Sequence, residues 1–185
     1  MNAPDAFREQ LLAAIPRLRR YARSLVFDTH AADDLVQTAL ERALAHWHQF
    51  DQRRDILVWV IAIAHNAYMD DRRKNARLML VESRDGVQHA EHEALYASAG
   101  ADIGLRIDLM AALRRLSPEH REPLLLVTLE QFTYAECAEA LGVPIGTVMS
   151  RISRGRVALR ALLEGAAPAA REPSESGGHT LRRVV

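Results

Sequence analysis

The sequence predicts an all-α protein of two small helical domains joined by a flexible tether, the C-terminal one a helix-turn-helix. Three observations carry this expectation. Apolar residues recur at helical spacing almost throughout, and no stretch alternates with β-branched enrichment. The spacing lapses over residues 77–104, where Gly86, Gly100 and Gly104 coincide with an excess of acid. Beyond that lapse, Ala138, Gly142 and Val148 have the small–Gly–apolar spacing of two helices crossing at a tight turn. The expected division is 1–76, a linker at 77–104, 105–165, and a disordered tail at 166–185, with Gly165 read as the start of the tail's irregular chain.

A first helix is expected at about 4–27, striped by Leu11, Leu12, Ile15, Leu18, Tyr21, Ala22 and Leu25, with Pro16 as a point of kinking or division. Asp28 and Thr29 are N-cap candidates for a second helix at about 31–48. Its apolar side is Leu35, Val36, Ala39, Leu40, Ala43, Leu44 and Trp47. Residues 50–55 read as a polar loop. A third helix at about 56–75 starts apolar nearly all round and turns polar from Asn66. Within the tether, residues 88–98 have the composition of a transient helix. Ser117-Pro118 is a helix start, a cap followed by a first-turn proline.

Composition excludes several classes of protein. Of 185 residues, 49% are apolar, one is cysteine, and 24 basic residues balance 24 acidic ones. A single cysteine leaves no disulfide scaffold and no Cys-based zinc site within one chain. No apolar run approaches the roughly 20 residues of a membrane span, and the N-terminus lacks the pattern of a signal peptide, so a cytoplasmic protein without membrane insertion is expected. Zero net charge argues against a strong independent nucleic-acid binder. The sum conceals a pattern, however: residues 77–104 are acidic, while 144–160 contain Arg151, Arg154, Arg156 and Arg160 and no acid.

That acid-free stretch is the second helix of the helix-turn-helix, expected at 144–160 after a short helix at about 133–140. At about 100° per residue, Val148, Ile152 and Gly155 share one side. Thr147, Ser150, Ser153 and Arg154 lie opposite, flanked by Arg151 and Arg156. Arginine can fork onto guanine, and Ser or Thr can reach bases or phosphates, so this face suits a major groove. A merely solvated helix face is the competing reading.

The two helical blocks together resemble the extracytoplasmic-function (ECF) sigma factors of bacterial RNA polymerase, in the sigma-70 family. The resemblance rests on AADDLVQTALERALAHWHQF and WVIAIAHNAYMDDRRK in the first block, and on LRRLSPEHREPLLLVTLEQFTYAECAEALGVPIGTVMSRISRGRVALRALL in the second. It implies that the first block is region two and the second region four. By resemblance, the DDLVQ helix docks on the β′ clamp of core polymerase through Asp33, Asp34, Gln37, Thr38 and Glu41, and region four meets the β flap. By resemblance, Arg53, Arg54, Asn66, Arg72 and Arg73 face the minus-ten element, with Asn66 in a pocket for an unstacked base and the 50–55 loop over it. Arg72, Arg73 and Lys74 also read as ordinary charges at a helix C-terminus. The minus-thirty-five element falls to Thr147, Ser150, Arg151, Ser153 and Arg154, with Arg121 as a phosphate contact. Many relatives carry a basic residue shortly before the tryptophan; here Ile56-Leu57-Val58 precede Trp59. The implied partners are core RNA polymerase, promoter DNA and an anti-sigma factor. No catalytic residue, metal or cofactor is expected.

Two other functions compete: a sigma mimic that sequesters an anti-sigma factor, and a stand-alone helix-turn-helix regulator. A mimic should lack the DNA-reading residues, and a stand-alone regulator does not account for the DDLVQ and Trp59 helices. His46 and His48 cannot face one direction on a helix. His89 and His92 suit either a zinc site or, the favoured reading, a solvated linker. Cys137 reads as a small buried hydrophobe, with a redox sensor as the alternative.

Overall fold

The computed structural model describes residues 3–82 and 103–166, and the regular structure within them is helical. The candidate helix at 88–98, the His89/His92 pair and the C-terminal tail lie outside the described residues. Helices α1 (Asp5–Val26), α2 (Thr29–Ala45) and α3 (Ile56–Glu82) form one cluster; α4 (Ile103–Arg115), α5 (Pro118–Leu129), α6 (Tyr134–Leu141) and α7 (Ile145–Ala166) form a second. Among the described residues, no helix is long and apolar enough to cross a membrane.

Helix α1 runs through Pro16 without a break. The carbonyl that a helical proline frees lies four residues earlier, here on Leu12, which is well exposed and open to water. The helix closes at Phe27, a left-handed residue (φ 61°) whose N–H donates to the Arg23 carbonyl at 3.1 Å. Asp28 caps α2 by accepting the Ala31 N–H at 2.8 Å. Helix α2 stops three residues short of the expected end, and a single 3-10 turn at Trp47–Gln49 leads into the loop. That turn brings the His46 and His48 rings to 6.4 Å, an approach a continuous helix would not give.

Helix α3 continues to Glu82, beyond the expected boundary near 76. Residues 77–82 include good helix formers, and no Gly or Pro intervenes before Gly86. Helix α7 likewise continues through Gly165 to Ala166, so Gly165 belongs to the helix and not to irregular chain. Leu159 and Leu162 pack on the core beyond Gly155 and carry the helix on.

Leu18, Tyr21, Ala22, Leu25, Val60, Ile61 and Ala64 fill the first cluster; Leu126, Cys137, Val148 and Ile152 fill the second. The buried residues are nevertheless continuous, because α1 packs on α5 and α3 on α6. The two clusters are docked against each other.

Candidate nucleic-acid and polymerase interfaces

The helix-turn-helix begins with a cap. The Thr133 hydroxyl accepts the Glu136 N–H at 3.2 Å while the Glu136 carboxylate accepts the Thr133 N–H at 2.8 Å, a reciprocal capping box. Gly142 closes α6 in the left-handed region (φ 63°), and the Val143 N–H donates to the Ala138 carbonyl at 3.1 Å. Pro144 then starts α7. Val148, Ile152 and Gly155 are buried. A Cβ at Gly155 would come within 2.8 Å of Leu124 Cδ1 and 3.1 Å of the His120 carbonyl oxygen, so α7 lies tight against α5.

That packing orients the opposite side of α7. Ser153, Arg154 and Arg156 are exposed, and Thr147, Ser150 and Arg151 are half-buried. Ser150 Oγ donates to the Thr147 carbonyl at 2.9 Å, and Arg151 reaches Glu119 at 3.9 Å. The exposed face offers guanidinium forks and hydroxyls, and α7 itself carries no acid from 144 to 160; the nearest carboxylate is Glu119 of α5, beside Arg151.

A second surface surrounds the loop before α3. Phe7, Phe50 and Trp59 form an aromatic cluster, with ring centroids 5.7 Å apart for Phe7–Phe50 and 5.3 Å for Phe50–Trp59. Beside it opens a cavity of about 480 Å³ lined by Phe7, Trp47, His48, Phe50, Asp51, Gln52 and Arg53. Asn66 is exposed on α3 and does not line this cavity. Arg72 lies 5.8 Å from the Tyr68 ring, and Arg73 pairs with Asp70 at 3.5 Å.

A third surface is the outer face of α2. Ala32, Leu35, Val36, Ala39 and Ala43 are buried; Asp33, Asp34, Gln37 and Glu41 are exposed and Thr38 half-exposed. The spacing i, i+1, i+4, i+5, i+8 puts these five on one stripe. Asp33 meets Arg19 at 3.8 Å, and Gln37 Nε2 donates to Glu41 Oε1 at 2.9 Å. Asp34 and Thr38 also line a groove of about 280 Å³ toward α3, with Arg42, Asp70 and Lys74.

Arg121 is placed otherwise than the sequence suggested. It is 6% exposed, with its guanidinium 4.7 Å from the Phe27 ring centroid and Nη2 donating to the Leu25 carbonyl at 2.9 Å. In this arrangement it is not a surface phosphate contact, because the end of α1 covers it. Burial lowers its pKa. Its Nε has no hydrogen-bond partner. Arg54, from the loop, forms an ion pair with Glu139 on α6.

Sequence reasoning missed the seam between the clusters. The Glu130 side chain, fully buried, sits between Arg17 and Arg20 of α1. Arg17 Nε donates to Oε2 at 3.1 Å; Arg20 Nε donates to Oε1 and Nη2 to Oε2, both at 2.9 Å. Arg20 Nη2 also reaches the Leu129 carbonyl at 3.0 Å, and Arg17 Nη2 the Glu130 carbonyl. The bond to Glu130 raises the Arg20 pKa. Nearby, Glu122 accepts from Tyr21 Oη and lies 2.7 Å from His65 Nδ1. Burial first, then the Glu122 charge, pushes the Tyr21 phenol well above its ordinary value. The only sequence signal was a carboxylate in an apolar run, which names no partner about a hundred residues away. Among the described residues, no group of three or more His, Cys, Asp or Glu is placed to hold a metal.

The chain matches the family model Sigma-70, region 4, over residues 106–159 and the Sigma2 domain of PhyR over residues 11–65. The ECF RNA polymerase sigma factor EcfG of Rhodopseudomonas palustris is 37% identical over 164 residues, covering 88% of each chain. RNA polymerase sigma factor HrpL of Pseudomonas syringae is 32% identical over 166 residues, 86% of this chain and 88% of HrpL. Among solved structures, the sigma factor RpoE of Bartonella quintana, in complex with the anti-sigma factor NepR, superposes with a TM-score of 0.73 at 32% identity, covering 87% of this chain and 98% of that one. CnrH, in complex with the cytosolic domain of CnrY, gives a TM-score of 0.61 at 25% identity over 88% of this chain and 90% of that one.

Proposed function

We propose, from the premise that this chain belongs to the ECF sigma factors and directs RNA polymerase to promoters, that its surfaces divide that work by domain. Residues 1–76 bind core polymerase and the minus-ten element. Residues 105–165 bind the minus-thirty-five element and the β flap. Residues 77–104 link them, and 166–185 form a tail.

The observation that carries this reading is the face of α7. Gly155 seats the helix closely on α5, leaving Ser153 and Arg154 outward and no acid from 144 to 160. In a helix-turn-helix the second helix enters the major groove. Arg154 forks onto a base edge; Thr147, Ser150, Arg151 and Ser153 contact bases and phosphates along the same face. The same exposed residues favour a sigma factor over a DNA-blind mimic.

The loop region opens the duplex. Unstacked bases are captured on aromatic faces, at about 1–3 kcal/mol per base. The cavity walled by Phe7, Trp47, His48 and Phe50 offers such faces, with Arg53 at its rim for the flanking phosphate. Asn66, exposed on α3 outside the cavity, hydrogen-bonds a base edge, and Arg54, Arg72 and Arg73 contact the backbone. The stripe Asp33, Asp34, Gln37, Thr38 and Glu41 docks on basic residues of the β′ clamp. An anti-sigma factor is a further partner, supported by the likeness to a sigma factor solved with NepR. The setting is the cytoplasm, where polymerase and promoter are.

Run-off transcription with purified core polymerase and genomic templates tests this reading. A defined start site that depends on this protein is the expected result. No transcript, together with capture of an anti-sigma factor, would favour the mimic.

A further inference from the structure

Helix α7 carries two exposed apolar residues in its first two turns that take no part in the core. Ile145 and Met149, one turn apart, are 47% and 50% exposed. At about 100° per residue, Met149 lies roughly 40° around the helix from Ser153 and 100° from Ser150. It therefore borders the hydroxyl and guanidinium face assigned above to the minus-thirty-five element. Between Met149 and Ser150 on the wheel stands Gly146, where an added Cβ would meet nothing within 4 Å. Packing inside the protein does not require a glycine there. A glycine on such a face lets a second molecule come close to the backbone.

Single exposed apolar side chains need no explanation; these two are set apart by their position. In a helix-turn-helix, the N-terminal residues of the second helix are the ones that reach base edges. The surroundings are acid-free from 144 to 160 and hold four arginines, which suits a polyphosphate and not an apolar protein surface. In the major groove the apolar feature of a base edge is the thymine C5-methyl. Ser150, Ser153 and Arg154 read through donors and acceptors and cannot sense it. An unbranched thioether adapts its shape to such a group.

We propose that Met149, with Ile145 beside it, reads the C5-methyl of a thymine in the minus-thirty-five element, and so adds an A·T-specific step to a face otherwise suited to guanine and phosphate. This rests on the promoter-directing reading. Gly146 lets the duplex approach, and the methyl leaves water against the Met149 side chain. One buried methyl-sized group is worth about fourfold in affinity.

The test uses holoenzyme reconstituted from core polymerase and the full-length protein, on a promoter mapped by run-off transcription. Deoxyuridine replaces each thymine of the upstream element in turn, on either strand. The change removes the methyl and leaves the hydrogen-bonding edge of the base as it was. Holoenzyme affinity for the promoter is expected to fall about fourfold at one thymine. Met149→Gln keeps the chain length and helix propensity. It is expected to bind the thymine promoter about fourfold more weakly than the parent and to lose nothing further on uracil. Val157 is 67% exposed about 12 Å further along α7, and Val157→Gln is expected to respond to uracil as the parent does. A parent insensitive to uracil at every position, or a Met149→Gln variant with the full uracil response, overturns the methyl reading and leaves promoter direction standing. Weaker core-polymerase binding by Met149→Gln with an intact uracil response also overturns it, and assigns the edge to a protein partner. A parent that starts no defined transcript overturns the promoter-directing reading, and the methyl reading with it.

Discussion

Gly155 and Leu124 are in contact so close that a Cβ on residue 155 would stand 2.8 Å from Leu124 Cδ1, with the His120 carbonyl oxygen at 3.1 Å. The angle at which α7 presents its arginines depends on this approach. Gly155→Val should destabilise the protein by about 1–3 kcal/mol through overpacking. Gly155→Ala should cost less, since the Leu124 methyl can move aside and alanine gains about 1 kcal/mol in a helix. Urea denaturation measures both. A valine variant as stable as the parent would mean that α5 and α7 yield without penalty.

Arg154 is exposed and makes no ion pair among the described residues. Arg154→Ala should leave the melting temperature unchanged and weaken promoter-specific transcription by the equivalent of about 1–3 kcal/mol. Transcription from a mapped promoter at the parent rate would remove Arg154 from the reading face.

Trp47 walls the loop cavity, whereas Asn66 stands outside it. Trp47→Ala should reduce promoter opening by about 1–3 kcal/mol, the value of one stacked base. Asn66→Ala should impair opening more than duplex binding. Permanganate reactivity and gel shift separate the two steps; equal loss in both assays would argue against base capture at either residue.

Gln37 and Glu41 share a hydrogen bond on the exposed face of α2. Glu41→Arg combined with Gln37→Ala places a positive charge where a basic partner is expected. Core-polymerase affinity should fall by about tenfold or more, since like charges across an interface are costly. Undiminished co-purification would sink the clamp assignment.

Cys137 is fully buried in α6, and burial pushes its thiol up to about 12, with the Glu122 charge adding to the shift. The thiolate is the reactive form, and at pH 8 it is about one part in ten thousand of such a thiol. Ellman's reagent should therefore react with native protein far more slowly than with urea-unfolded protein. Rapid labelling of the native state would restore the redox-sensor reading.

Local signals were legible in the sequence where the physics is local. Asp28, Gly142 and Pro118 act through neighbours within a few residues, and each stands where a cap, a left-handed turn or a first helical turn is required. The buried side Val148–Ile152–Gly155 follows from helical period alone. The ends of α3 and α7 lie beyond the expected ones because helix formers continue past the acid and glycine that suggest a boundary in the sequence. Arg121 is buried for a reason that no local signal carries. Its burial is decided by Phe27 and the Leu25 carbonyl, nearly a hundred residues away, and a helical wheel of α5 contains neither. The seam around Glu130 was illegible on the same ground.

The separation in sequence across that seam, 113 residues from Arg17 to Glu130, also sets an order in time. Domains fold as units during synthesis, the N-terminal one first, at about 5–20 residues per second. The first cluster ends with α3 at Glu82, 48 residues before Glu130, and is therefore complete roughly 2–10 s before Glu130 leaves the ribosome. Throughout that interval Arg17 and Arg20 are displayed to the cell without the carboxylate that later pairs with both.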